Sequence, residues 1–183
     1  MRNELRIAGF GGQGVITIGL LLTKAVGQFG DNDVVQTQSY GPEARGGACK
    51  TEIVISDSTI DYIKVLNLDT FIAMSQPAFD SYSKDLPDNG ILLIDETLVD
   101  SIPENYTNVY KIPATSLAEN EIGLRVVANV VMFGAIAKVT GVVTQEQCKS
   151  AIEDTFPAKV LKKNFAAFDL GYNYDFNVSG VKA

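Results

Sequence analysis

The string Gly9-Phe10-Gly11-Gly12-Gln13-Gly14 stands between a short apolar run, Leu5 to Gly9, and an apolar stretch of helical spacing, Val15 to Phe29. That juxtaposition constrains the fold more than any other feature. A buried strand, a tight glycine turn and a helix opening at once read as the first half of a βαβ unit. Glycines let the backbone turn sharply and leave N–H groups free near the positive end of a helix, where an anion is favoured. The same glycines could serve only to let strand and helix pack closely, so the string alone does not name a ligand.

The rest of the chain repeats the alternation. Strands are expected at Asp33 to Gln38, Ala48 to Ser56, Leu68 to Met74, Ile91 to Asp95 and Asn108 to Ile112. Pro77 opens a short helix to about Lys84, and Asp88-Asn89-Gly90 makes a turn. Ser116 and Glu119 fit a capping box, as do Thr144 and Gln147. Arg125 to Val139 is expected to be one long helix, apolar almost all round and so well buried. Lys159 to Leu170 gives the last helix, after Pro157. This pattern implies an α/β fold: a Rossmann-like three-layer sandwich with a mostly parallel sheet and helices on both faces. The 183 residues, 46% of them hydrophobic, fit one domain spanning residues 1–183.

A dinucleotide would need an acidic residue at the end of the second strand to bind a ribose hydroxyl. That strand ends Val35-Gln36-Thr37-Gln38, without a carboxylate. The second glycine-rich stretch, Ser39-Tyr40-Gly41-Pro42-Glu43-Ala44-Arg45-Gly46-Gly47, follows it on the sheet edge that carries the first turn. Arg45 between glycines could offer its planar fork to a phosphate, or could simply be solvated. Arg125 and Asn129, one helical turn apart, are further candidates. Asp95-Glu96 after a buried strand is expected to cap the next turn. Cys49 on a strand reads as packing.

Composition narrows the chemistry. The chain has no histidine, so His-based acid–base pairs and His-ligated zinc are excluded within it. Cys49 and Cys148 are too few for an Fe–S cluster or a Cys₄ zinc site. A net charge of −7 without a Lys/Arg block argues against nucleic acid. The opening Met1-Arg2-Asn3-Glu4 runs straight into the first strand, and no stretch is long and apolar enough to span a bilayer. A cytoplasmic protein with no membrane contact is expected.

Four stretches in order carry a resemblance. They are Leu5 to Val15, Gln38 to Gly47, Ile72 to Pro77, and Arg125-Val126-Val127-Ala128-Asn129 with Gly134. With them the chain resembles the gamma subunit of 2-oxoacid:ferredoxin (acceptor) oxidoreductases, and the second stretch is the most specific. The resemblance implies an assembly that oxidatively decarboxylates a 2-oxoacid to an acyl-CoA and passes electrons to ferredoxin, with 2-oxoglutarate the favoured substrate. It implies that thiamine diphosphate and Fe–S clusters sit in alpha, beta or ferredoxin-like delta partners. This chain would carry no catalytic group. It would complete the complex, self-associate when isolated, and help bind coenzyme A through Gly11, Gly12, Gln13, Gly14, Arg45, Gly46, Gly47, Arg125 and Asn129. A free-standing NAD(P)- or flavin-binding oxidoreductase and a purely structural subunit remain the alternatives.

Overall fold

The computed structural model describes residues 1–39 and 47–176. One six-stranded sheet runs through it, in the order β2-β3-β1-β4-β5-β6. The strands are β1 (Arg2–Phe10), β2 (Asp33–Gln38), β3 (Ala48–Ser56), β4 (Thr70–Ala73), β5 (Ile91–Asp95) and β6 (Asn108–Ile112). β1, β4, β5 and β6 pair in parallel, joined by chain that passes over the sheet. β3 pairs antiparallel with both β1 and β2. Five strands therefore point one way and β3 alone runs back.

The antiparallel strand corrects one expectation. β2 does not lie beside β1 as the second strand of a right-handed crossover. It forms a hairpin with β3, and β3 slots between them. The sequence is consistent with this once seen. Only the short stretch from Ser39 to Gly47 separates the two strands, too little for a crossover helix.

The helices are α1 (Val15–Thr23), α2 (Gln76–Tyr82), α3 (Ala114–Asn120), α4 (Ala128–Thr140), α5 (Gln145–Thr155) and α6 (Ala158–Tyr172). On one face of the sheet Leu5, Ile7, Ile53, Ile72 and Leu93 pack against Ile18, Leu22, Val130, Phe133, Ile152 and Phe168 from the helices. On the other, Ala8, Phe71, Ala73 and Leu92 meet Ala78 and Phe79 of α2. Each fully buried Leu, Ile or Phe stabilises the fold by roughly 1.5–3 kcal/mol relative to exposure. α4 and α6 approach backbone to backbone, because Gly134 faces the Phe168 carbonyl and Gly171 faces the Val131 carbonyl.

Three helix expectations change. The helix from Val15 does not stay α-helical to Phe29; it continues as a π-helical segment, Lys24–Gln28. α3 starts at Ala114, so Ser116 lies inside it and forms no capping box with Glu119. Its first turn is instead held by Asp95, whose Oδ2 accepts from the Thr115 N–H at 3.1 Å and the Thr115 hydroxyl at 2.6 Å. The stretch from Arg125 is a 3-10 turn, Arg125–Val127, that leads into α4. The Thr144–Gln147 capping box forms as expected. Among the described residues no helix is long and apolar enough to cross a membrane.

Candidate functional site

The glycine turn leaves the carboxyl end of β1 and is wired inward by Gln13. The Gln13 side-chain carbonyl accepts from the Phe10 N–H at 2.5 Å, and its amide donates to the Met74 carbonyl at 2.9 Å. The Gln13 N–H donates to the Phe10 carbonyl at 3.1 Å, and the Gly11 N–H to the Gly47 carbonyl at 3.2 Å. The second contact brings Gly47, just before β3, against the turn. Gly12 and Gly14 have φ of 94° and 75°, the left-handed region that suits glycine. A Cβ on Gly14 would also run into the Asn129 side chain. Gly14 occupies the N-cap of α1 and contributes no side-chain cap, so the first-turn amides face outward without one.

Three grooves meet at the exposed Gly12. The first, about 400 Å³, is lined by Phe10, Gly12, Gln13, Met74, Leu98, Thr115, Arg125, Val126 and Ala128. The second, about 290 Å³, lies between the turn and the ends of β2 and β3, at Gly11, Gly14, Gln38, Ser39 and Cys49. The third, about 380 Å³, lies toward α6 and includes Gly14, Thr17, Asn129 and Lys163.

The predicted residues divide among them. Gly12, Gln13 and Arg125 share the first groove, and Gly47 joins the turn through its carbonyl. Arg125 is exposed and donates to Glu119 at 2.8 Å, leaving the rest of its fork toward the groove. Asn129 does not share a helix face with Arg125 as expected. Arg125 precedes α4 in the 3-10 turn, while Asn129 lies in the first turn of α4, packed behind Gly14. Arg45 and Gly46 lie outside the described residues.

Several residues of the site carry no motif. Met74, Leu98 and Thr115 reach the first groove because each follows the carboxyl end of a parallel strand, β4, β5 and β6 in turn. That edge is where open α/β sheets bind ligands, which was the available signal. Phe10 and Val126 form an apolar rim, 37% and 66% exposed. The cysteines are quiet: burial pushes the Cys49 thiol up and Cys148 up to about 12.

Residues 4–174 match the family model described as pyruvate ferredoxin/flavodoxin oxidoreductase. The chain is 48% identical to the 2-oxoglutarate synthase subunit KorC of Methanocaldococcus jannaschii, over 94% of this chain and 93% of that one. Among solved structures it resembles the gamma subunit of a keto/oxoacid ferredoxin oxidoreductase from Geobacter sulfurreducens, with a TM-score of 0.86, 38% identity, and 94% and 95% of the two chains covered. It also superimposes on a 2-oxoglutarate:ferredoxin oxidoreductase from Magnetococcus marinus with 2-oxoglutarate, coenzyme A and succinyl-CoA bound. There the TM-score is 0.78 at 21% identity, with all of this chain covered but 33% of that one, so the likeness is one of fold.

Proposed function

Because the chain belongs to the pyruvate ferredoxin/flavodoxin oxidoreductase family, as a gamma-type subunit of a 2-oxoacid:ferredoxin oxidoreductase, we propose that it supplies part of the coenzyme A site of a 2-oxoglutarate-oxidising assembly. The choice of 2-oxoglutarate rests on the name of the relative at 48% identity. Thiamine diphosphate and Fe–S clusters belong to the partner subunits on this reading, since a chain with no histidine and two buried, separate cysteines offers no cluster ligand set.

One observation carries the coenzyme A reading. The exposed Gly12 and Arg125 border one groove, and the uncapped first turn of α1 borders the adjoining one, where Gly12 meets Gln38 and Ser39. Gly11, Gly12 and Gly14 keep the backbone close to the surface, and Gln13 holds the turn rigid rather than reaching out. Phosphate groups are favoured at a helix N-terminus and beside arginine forks. The apolar stretch of Phe10, Leu98 and Val126 suits the ligand's pantetheine arm. Coenzyme A supplies the thiol that accepts the acyl group; this chain orients it and adds no catalytic base. A dinucleotide is disfavoured because β2 ends at Gln38 without a carboxylate and the antiparallel β3 stands between it and β1, so on that side of β1 no adjacent parallel strand offers a ribose-binding acid.

The test is steady-state kinetics of the assembled complex. Arg45→Ala is expected to raise the Michaelis constant for coenzyme A by about tenfold to a hundredfold, as loss of a charge-assisted hydrogen bond implies. Arg125→Ala should act in the same direction but less, because Glu119 already engages it. The constant for the oxoacid should stay unchanged. An unaltered coenzyme A dependence in both variants overturns the reading.

A further inference from the structure

We propose that Thr115 is the hydrogen-bond acceptor that reads an amide N–H of the ligand's uncharged arm in the first groove, and that the buried Asp95 fixes it in that role. The inference rests on the coenzyme A reading and assigns the residue that recognises the pantetheine part. Thr115 supplies the only hydroxyl among the described residues that line this groove. The two other polar side chains there are not free for the task. Gln13 is bonded to the Phe10 N–H and the Met74 carbonyl, and Arg125 can only donate.

The Thr115 hydrogen is already placed. Its hydroxyl donates to Asp95 Oδ2 at 2.6 Å, a short bond between two oxygens. The neighbours fix the direction of that bond. The Thr97 N–H donates to Asp95 Oδ1 and the Thr115 N–H to Oδ2, each at 3.1 Å, and an N–H cannot accept. The fully buried carboxylate is therefore the acceptor, and the hydroxyl keeps only lone pairs for the groove. A ligand N–H satisfies them, whereas a phosphate or carboxylate oxygen would set acceptor against acceptor. Asp95 also ties down the adjoining wall, because its main-chain carbonyl accepts from the Leu98 and Val99 N–H groups at 3.0 and 2.9 Å. Leu98 and Met74 give the same groove apolar contact. An amide between short methylene runs matches that combination, and the pantetheine arm carries two such amides. Thr115 is 2% exposed, so a bond to it is made with little competition from water.

The test is competitive inhibition of the assembled complex by three ligands. They are desulfo-coenzyme A, its analogue with both pantetheine amides changed to esters, and adenosine 3′,5′-bisphosphate, the nucleotide part alone. In the parent complex the ester analogue is expected to bind about threefold to tenfold more weakly than the amide. Thr115→Val should weaken the amide by the same factor and leave the ester and the nucleotide unchanged. Thr115→Ser should restore the amide. A merely structural role for Thr115 would move all three ligands together. The proposal is overturned if the ester binds the parent complex as tightly as the amide, or if Thr115→Val weakens amide and ester alike. The parent measurement decides the matter even if the Val variant fails to assemble. Arg45→Ala separates this inference from the reading it rests on. If that variant weakens the nucleotide while amide and ester bind the parent equally, this inference fails and the coenzyme A reading stands.

Discussion

Gly14 joins two demands at one residue. Its φ of 75° lies where an L side chain is strained, and the space a Cβ would fill belongs to Asn129. Gly12 meets only the first demand, because nothing lies within 4 Å of the Cβ it lacks. The two substitutions should therefore separate. Gly12→Ala is expected to cost the backbone strain alone, about 1–3 kcal/mol, and Gly14→Ala more than that. Replacing Asn129 by Ala should rescue part of the Gly14→Ala loss and none of the Gly12→Ala loss. Urea unfolding of the single and double variants measures both differences. Additive losses at Gly14 and Asn129 would contradict the close packing described above.

At the scale of elements, the sheet face that α2 covers holds a charged seam between β1 and β3. Arg6 is buried on β1 and donates to Glu52 of β3 at 2.7 Å, to Asp85 at 2.9 Å and to the Tyr82 carbonyl at 2.9 Å. Lys50 donates to the same Glu52 carboxylate at 2.8 Å. Burial by itself pushes the Glu52 pKa up, but the hydrogen bonds and charges of Lys50 and Arg6 outweigh it and hold the carboxyl below its ordinary value. A carboxyl with a lower pKa folded than unfolded binds fewer protons in the native state. Its contribution is present above the unfolded value of about 4.3 and is lost as pH falls through the lower folded value. Stability is thus expected to decline as pH drops below about 4, and Glu52→Gln should flatten that decline relative to the parent chain. Chemical unfolding across the acid range reads the slope. An identical slope in the variant would show that the seam is not linked to protons through Glu52.

For the whole molecule, the glycine turn and the apolar Phe10 and Val126 lie on the same sheet edge, while the chain has neither histidine nor a cluster-forming set of cysteines. As a gamma-type subunit of a multi-subunit oxidoreductase, the chain implies further subunits. When co-expressed with candidate alpha- and beta-type subunits it is expected to co-purify with them. When purified alone it should show no flavin or Fe–S absorption band and no oxoacid oxidation. Stoichiometric visible absorption in the isolated chain, or failure to associate with such subunits, would count against this expectation.

The sequence by itself determined the strands, the glycine turn, the α/β class and the family resemblance, because these rest on local chemistry. Glycine spacing, the apolar runs and Pro77 act within a few residues. The boundaries of β2, β3 and β6 fall at the residues where the apolar pattern stops. Only the tertiary structure decided three other things. β3 runs antiparallel between β2 and β1, since pairing partners are chosen across the sheet and not along the chain. Asp95 replaces Ser116 in holding the start of α3, since a buried carboxylate far away in sequence reaches those donors first. Arg125 and Asn129 part company, because Arg125 stays in the exposed 3-10 turn beside Glu119 while Asn129 enters α4 and packs on Gly14. Periodicity sees residues four apart as neighbours; which groove each one faces is set by the elements packed against them.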